Sequence, residues 1–115
     1  MATISTHVLD TATGNPAAGV LIKLQAERDG YFHPIGSGTT NADGRVGDLL
    51  EDEFKPLVAG TYRMTFDVEQ YMTDSGRDKF FYPYVDITFR IESAEDHYHV
   101  PLLICPYGFS TYKGS

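Results

Sequence analysis

His97-Tyr98-His99-Val100-Pro101-Leu102-Leu103-Ile104-Cys105 runs into the turn Pro106-Tyr107-Gly108 and then Phe109-Ser110-Thr111-Tyr112-Lys113-Gly114-Ser115. Side chains of an extended chain alternate between two faces. Tyr98, Val100, Leu102 and Ile104 therefore share an apolar face that reads as core. His97, His99, Pro101, Leu103 and Cys105 share the other. Two imidazoles among apolar groups make that second face neither an ordinary core nor an ordinary wet surface. Beyond the turn, Phe109 reads as a core residue, which puts Ser110 and Tyr112 on the histidine-bearing side. The stretch ends in a phenol, an ammonium, a hydroxyl and a terminal carboxylate.

Working outward, the first strand has the same character. Ile4 and Val8, with Thr6 between them, suit a core face, and Ser5, His7 and Leu9 take the opposite one. Between the two ends lie strands with wet outer faces. Val20, Ile22, Leu24 and Ala26 alternate with Leu21, Lys23, Gln25 and Glu27. Tyr62, Met64, Phe66 and Val68 alternate with Thr61, Arg63, Thr65 and Asp67, and Val85, Ile87, Phe89 and Ile91 with Asp86, Thr88, Arg90 and Glu92. A weaker strand spans 31–37, where Pro34 predicts an edge position or a bulge. Turn formers fill 10–16, 28–30 and 40–45, and Gly44 can supply a positive φ. Residues 68–74 predict a short helix stopped by Ser75-Gly76. Seven or eight short strands and one short helix predict an all-β sandwich. If the first and last strands share a sheet, its outer face is apolar and carries histidines, which suggests an interface between identical copies.

The chain has 115 residues, enough for one domain over 1–115. Its net charge of -7 argues against binding nucleic acid or an anionic membrane, which need a basic face. No run approaches the roughly 20 apolar residues of a membrane span. The single cysteine excludes an internal disulfide, and the N-terminus lacks a basic-then-apolar leader. The expectation is a cytoplasmic protein.

Four separated motifs in order, Ser5-Thr6-His7-Val8-Leu9-Asp10, Asp43-Gly44-Arg45, His97-Tyr98-His99-Val100-Pro101-Leu102-Leu103 and Tyr112-Lys113-Gly114-Ser115, resemble the transthyretin-like family of 5-hydroxyisourate hydrolases. The resemblance spans the whole length. It implies a transthyretin-like β-sandwich of two four-stranded sheets with one short helix, assembled as a homotetramer, a dimer of dimers with active sites in the groove between dimers. It implies opening of the 5-hydroxyisourate ring to 2-oxo-4-hydroxy-4-carboxy-5-ureidoimidazoline in urate breakdown, with no metal and no organic cofactor. Residues carry over where the motifs match. His7, Arg45 and His99 fall on the catalytic positions, and His7, Arg45, Tyr112 and Ser115 on the substrate-binding ones. The family's terminal motif is usually Tyr-Arg-Gly-Ser, so Lys113 departs from it and puts a bidentate role there in doubt.

Such a ring opening is water attack on a strained, amide-like carbonyl with loss of a ring nitrogen. It wants a base for water, a donor for the leaving nitrogen and positive charge at the oxyanion. Histidine serves as acid or base near neutrality, and arginine offers a fork of donors to carbonyl oxygens. Other readings compete. His97 and His99 at i,i+2 with His7 could ligate zinc. The chain could also be a noncatalytic module that binds a small molecule or a protein. His97 reads as either a support for its neighbour or plain surface. Cys105 reads as a packing residue, 80–84 as loop anchoring and 51–53 as a solvated acidic turn.

Overall fold

The computed structural model describes residues 2–115. The elements follow in the order β1 (Ile4–Asp10), β2 (Asn15–Pro16), β3 (Leu21–Arg28), β4 (Tyr31–Thr39), β5 (Arg45–Val46), β6 (Gly60–Asp67), α1 (Val68–Asp74), β7 (Tyr84–Ile91), β8 (Tyr98–Cys105) and β9 (Gly108–Thr111). A 3-10 turn covers Asp52–Phe54. One sheet has the order β4-β3-β6-β7 and is antiparallel throughout. The other has the order β2-β1-β8-β9, with β5 also on β1. It counts five strands because two short pieces share one edge of β1: β5 pairs at Thr6 and His7, β2 at Leu9 and Asp10.

The alternating pattern explains how the sheets stack. Ile4, Val8, Leu102 and Ile104 from one sheet and Ile22, Leu24, Met64 and Phe66 from the other are all buried. Each such side chain contributes about 1.5–3 kcal/mol of transfer free energy. The outward residues Lys23, Gln25, Arg63, Thr65 and Asp86 stay on the wet face of the antiparallel sheet, where Thr65 donates to Asp86 and Arg63 to Gln25.

Turn chemistry sets the registers. Asp29 and Gly30 both have positive φ, 54° and 82°, between the paired residues Arg28 and Tyr31. That is the two-residue turn whose twist matches a hairpin. Pro34 sits on edge strand β4 beside a bulge: Gln25 pairs with Pro34 but Leu24 with Gly36, leaving Ile35 as the extra, buried residue. Helix α1 begins where the Asp67 carboxylate accepts from the Gln70 amide at 3.1 Å, and ends before Gly76 at φ 86°.

Phe109 departs from expectation. It pairs opposite Ile104, so its face is correct, but β9 is an edge strand and 43% of Phe109 stays exposed. Its ring instead meets Tyr82 edge to face at 5.2 Å. Tyr82 meets Phe81 at 4.9 Å, and the Phe81 amide donates to the Pro106 carbonyl. The aromatic stretch 80–84 thus anchors its loop to the β8–β9 turn.

A buried ionic centre ties the two layers together. The Asp10 side chain is 1% exposed at the end of β1. Arg77 and the Tyr71 hydroxyl each donate to its Oδ2 at 2.8 Å, and the Ala12 amide donates to Oδ1 at 3.0 Å. Burial alone would push the carboxyl up. The Arg77 and Tyr71 hydrogen bonds, the Arg77 charge and the Ala12 amide outweigh it, so Asp10 ionises below the usual carboxylate range. Burial, then the Asp10 hydrogen bond, pushes the Tyr71 phenol up to about 12.

Two outcomes follow for stability. Arg77→Met leaves Asp10 buried without its cation and should cost about 3–5 kcal/mol in urea unfolding. A carboxylate whose folded pKa is depressed stabilises fully above its unfolded value, about 3.9, and loses that contribution as pH falls through the folded value. Unfolding free energy should therefore drop below about pH 4 in the native chain and drop less steeply in Asp10→Asn.

Candidate active site

Strands β1 and β8 run parallel, with Ser5 opposite His99 and His7 opposite Pro101. On the other edge of β1, His7 pairs directly with Arg45. Positions 5, 7, 45, 97, 99 and 101 thus share the outer face of one sheet. The two catalytic candidates from opposite ends of the chain, His7 and His99, lie on adjacent strands two residues out of register.

Arg45 owes its place to the turn before it. The Asn41 side chain accepts from the Asp43 and Arg45 amides at 2.9 and 3.0 Å. Gly44 adopts φ 74°, and a Cβ there would stand 2.4 Å from the Val8 carbonyl. Only glycine lets the turn close on β1 and present Arg45 next to His7. Beyond Arg45, Asp48 accepts from the Ile4 and Leu50 amides at 3.2 Å and from Lys55 Nζ at 2.7 Å. The loop carrying the guanidinium is pinned at both ends.

His97 and His99 flank one hydroxyl. Ser5 Oγ lies 2.8 Å from His99 Nδ1 and 3.2 Å from His97 Nε2. The other nitrogen of His97, Nδ1, bonds the Thr3 hydroxyl. Ser5 is buried, His99 half-buried and His97 exposed. Burial lowers the His99 pKa, and the positive charge of Arg45 lowers it further. His99 is therefore an unprotonated imidazole at neutral pH, able to accept a proton.

An open cleft of about 290 Å3 lies over this face, lined by Ser5, Arg45, Val46, Gly47, His97, His99 and Ser115 among others. Three of the expected site residues thus come together in the cleft, Arg45, His99 and Ser115, while His7 stands beside it as the strand partner of Arg45. Tyr112 does not join them. It lines a neighbouring, mostly apolar cavity of about 330 Å3 with Ile87, Phe89, Tyr98 and Lys113, a cavity that His99 also borders. Lys113 lines the same cavity, its Nζ 6.0 Å from the Tyr98 ring centroid, and not the cleft that holds both His97 and His99. The lysine at this position therefore replaces arginine outside the imidazole cleft. Among the described residues, no three histidine, cysteine, aspartate or glutamate side chains converge as a metal cage. The Cys105 thiol donates to the Gly108 carbonyl at 3.5 Å within its turn.

Two contributors carry no role in the motif reading. Ser5 shares the parity of His7 and His99, which was the only sequence signal for it. Gly114 donates its amide to the His99 carbonyl at 2.8 Å, and a Cβ on it would stand 2.5 Å from His99 Cδ2. The tail is folded onto the flank of the catalytic candidate.

A two-layer sandwich with imidazoles and a guanidinium on one outer sheet defines a transthyretin-like protein. The HIUase/Transthyretin family profile matches residues 4–114, and the chain belongs to that family. A probable 5-hydroxyisourate hydrolase of Caenorhabditis elegans is 44% identical over 114 residues, covering 99% of this chain and 82% of that one. The structure of Klebsiella pneumoniae 5-hydroxyisourate hydrolase aligns at TM-score 0.80 with 39% identity, covering 100% of this chain and 94% of that one. Sea bream transthyretin in complex with thyroxine aligns at 0.86 with 29% identity, covering 97% and 94%. Backbone likeness alone therefore does not separate the hydrolase from the thyroxine-bound transthyretin; side chains must.

Gly114→Ala should press a methyl group on the His99 ring. A displacement near 1 Å costs on the order of 10²-fold in rate when it moves a reacting group. The expected outcome is a 10- to 100-fold loss of turnover with a nearly unchanged melting temperature, read by steady-state assay and thermal unfolding.

Proposed function

We propose that the protein hydrolyses 5-hydroxyisourate, opening its ring to 2-oxo-4-hydroxy-4-carboxy-5-ureidoimidazoline in urate degradation. The observation that carries this reading is an open cleft lined by Arg45 and His99, with His7 paired to Arg45 on the same sheet. Relatives of known name at about two-fifths identity support the same activity.

In the proposed mechanism His99, held unprotonated, takes a proton from the attacking water. Arg45 directs its fork of N–H donors at the carbonyl oxygen, where negative charge develops. His7, paired opposite Arg45 between β1 and β5, delivers a proton to the departing ring nitrogen. Ser115 at the rim binds the ring by hydrogen bonding, and Tyr112 acts from the adjoining cavity. The chemistry needs only side chains that this chain supplies.

The site works in this reading as half of a shared groove. Leu9 and Leu103 are half-buried on the outer face among the imidazoles, and an apolar outer face calls for cover. A homotetramer, a dimer of dimers, would supply it by setting two such faces together. Residues 1–115 then act as one transthyretin-like hydrolase domain in the cytoplasm. No helix among the described residues is long and apolar enough to cross a membrane.

Decay of freshly generated 5-hydroxyisourate, followed spectroscopically, tests the reading. His7→Ala, Arg45→Ala and His99→Ala should each slow turnover by about 10²–10⁴-fold with native far-ultraviolet circular dichroism. A folded His99→Ala protein with normal turnover would sink the assignment. Because the base must be unprotonated, activity should fall as pH drops through the His99 value. The lowered pKa of His99 places that limb below about 6.5, the ordinary imidazole value.

A further inference from the structure

The Ser5 hydroxyl has one proton and two imidazole neighbours, His99 Nδ1 and His97 Nε2. Its burial and its register opposite His99 leave it little freedom to turn elsewhere. Two arrangements satisfy the whole chain of contacts. In one, the Thr3 hydroxyl donates to His97 Nδ1, His97 Nε2–H to Ser5, and Ser5 to His99 Nδ1; His99 then carries its proton on Nε2. In the other every bond reverses: His99 Nδ1–H donates to Ser5, Ser5 to His97 Nε2, and His97 Nδ1–H to Thr3. His99 Nε2 is then a bare lone pair. A hydroxyl that donates to one ring is free to accept from the other, so the tautomers of the two histidines are tied through Ser5.

We propose that His97 is a positioning residue which, through Ser5, sets which ring nitrogen of His99 carries the proton and so which nitrogen His99 offers to the cleft. The reversed arrangement is the working one, since it presents the lone pair of Nε2. His97 borders the cleft, but in this scheme its effect on His99 passes through a single hydroxyl. Removal of such an outer hydrogen-bonding partner commonly costs 10- to 100-fold at metal-bound histidines, and the same logic applies to an imidazole held for proton transfer.

The kinetic consequence rests on the hydrolase reading, whereas the tautomer does not, so the test has two arms. In the first, side-chain 15N resonances of His99 are recorded in the native chain, Ser5→Ala, His97→Phe and His97→Gln. The native ring should be a single Nδ1–H tautomer, while Ser5→Ala and His97→Phe should each give a mixture. In the second, 5-hydroxyisourate hydrolysis is measured. His97→Phe should lower kcat by about 10- to 100-fold with KM little changed. His97→Gln should recover most of it, because its amide oxygen can accept from Ser5 in place of the imidazole. The double variant should be no slower than Ser5→Ala alone. Unaltered His99 resonances in His97→Phe, or losses that multiply in the double variant, would overturn the proposal. A native chain inert toward the substrate would count against the hydrolase reading, and the resonances alone would then decide the coupling.

Discussion

The parallel pairing of β1 with β8 is the constraint on which the rest depends. It runs from Ile4 opposite Tyr98 to Asp10 opposite Ile104. Parallel neighbours need a long connection, and here the connection is nearly the whole chain. Inside the sandwich, the pairing is locked by the buried Thr6 hydroxyl, which donates to the Val100 carbonyl at 2.6 Å, a bond worth about 1 kcal/mol net. Tyr98 anchors the start of β8 to the preceding loop, its hydroxyl accepting from the Glu92 and Ser93 amides at 3.2 and 3.0 Å. A slip of one residue would turn His7 and His99 inward and Thr6 outward. Register and chemistry are therefore one specification.

The two sheets divide the work. The antiparallel sheet contributes more of the buried core than the other sheet and has a conventional wet exterior. The other sheet contributes core on its inner side and gathers cationic and titratable groups on its outer side. The molecule as a whole is acidic, with a net charge of -7, yet burial and the charge of Arg45 both disfavour a proton on His99. That local positive charge suits a ligand rich in carbonyl oxygen. The acidic residues are held apart: Asp10 faces inward to Arg77, and Asp48 is paired with Lys55.

Much of this was legible in the residues. Strict alternation at 62–68, 98–104 and 20–26 predicted which side chains are buried, because a sheet leaves no other way to hide them. Helix α1 matched its predicted span because Asp67 caps its start and Gly76 ends it. What periodicity could not reveal was contact between distant elements. Phe109 has a core residue's parity but sits where the opposing layer has ended. Tyr112 and Lys113 follow the motif that places them near a substrate, yet they line the adjoining cavity, and Gly114 packs closely on the His99 ring. Ser5 was readable as outward-facing. Its place between two imidazoles depends on a pairing that no local pattern encodes.

The order in which the chain is made meets this topology awkwardly. Ser5 and His99 are separated by 94 positions. At roughly 5–20 residues per second of translation, the first strand emerges about 5–20 s before its partner. During that interval its only available neighbours are the short β2 and β5, and its other edge is an open row of amides and carbonyls. The nascent polypeptide must shield that edge, by its own collapse or with a chaperone's help, until β8 is made. The face that carries both His7 and His99 is consequently assembled late, only after its distant strand has emerged.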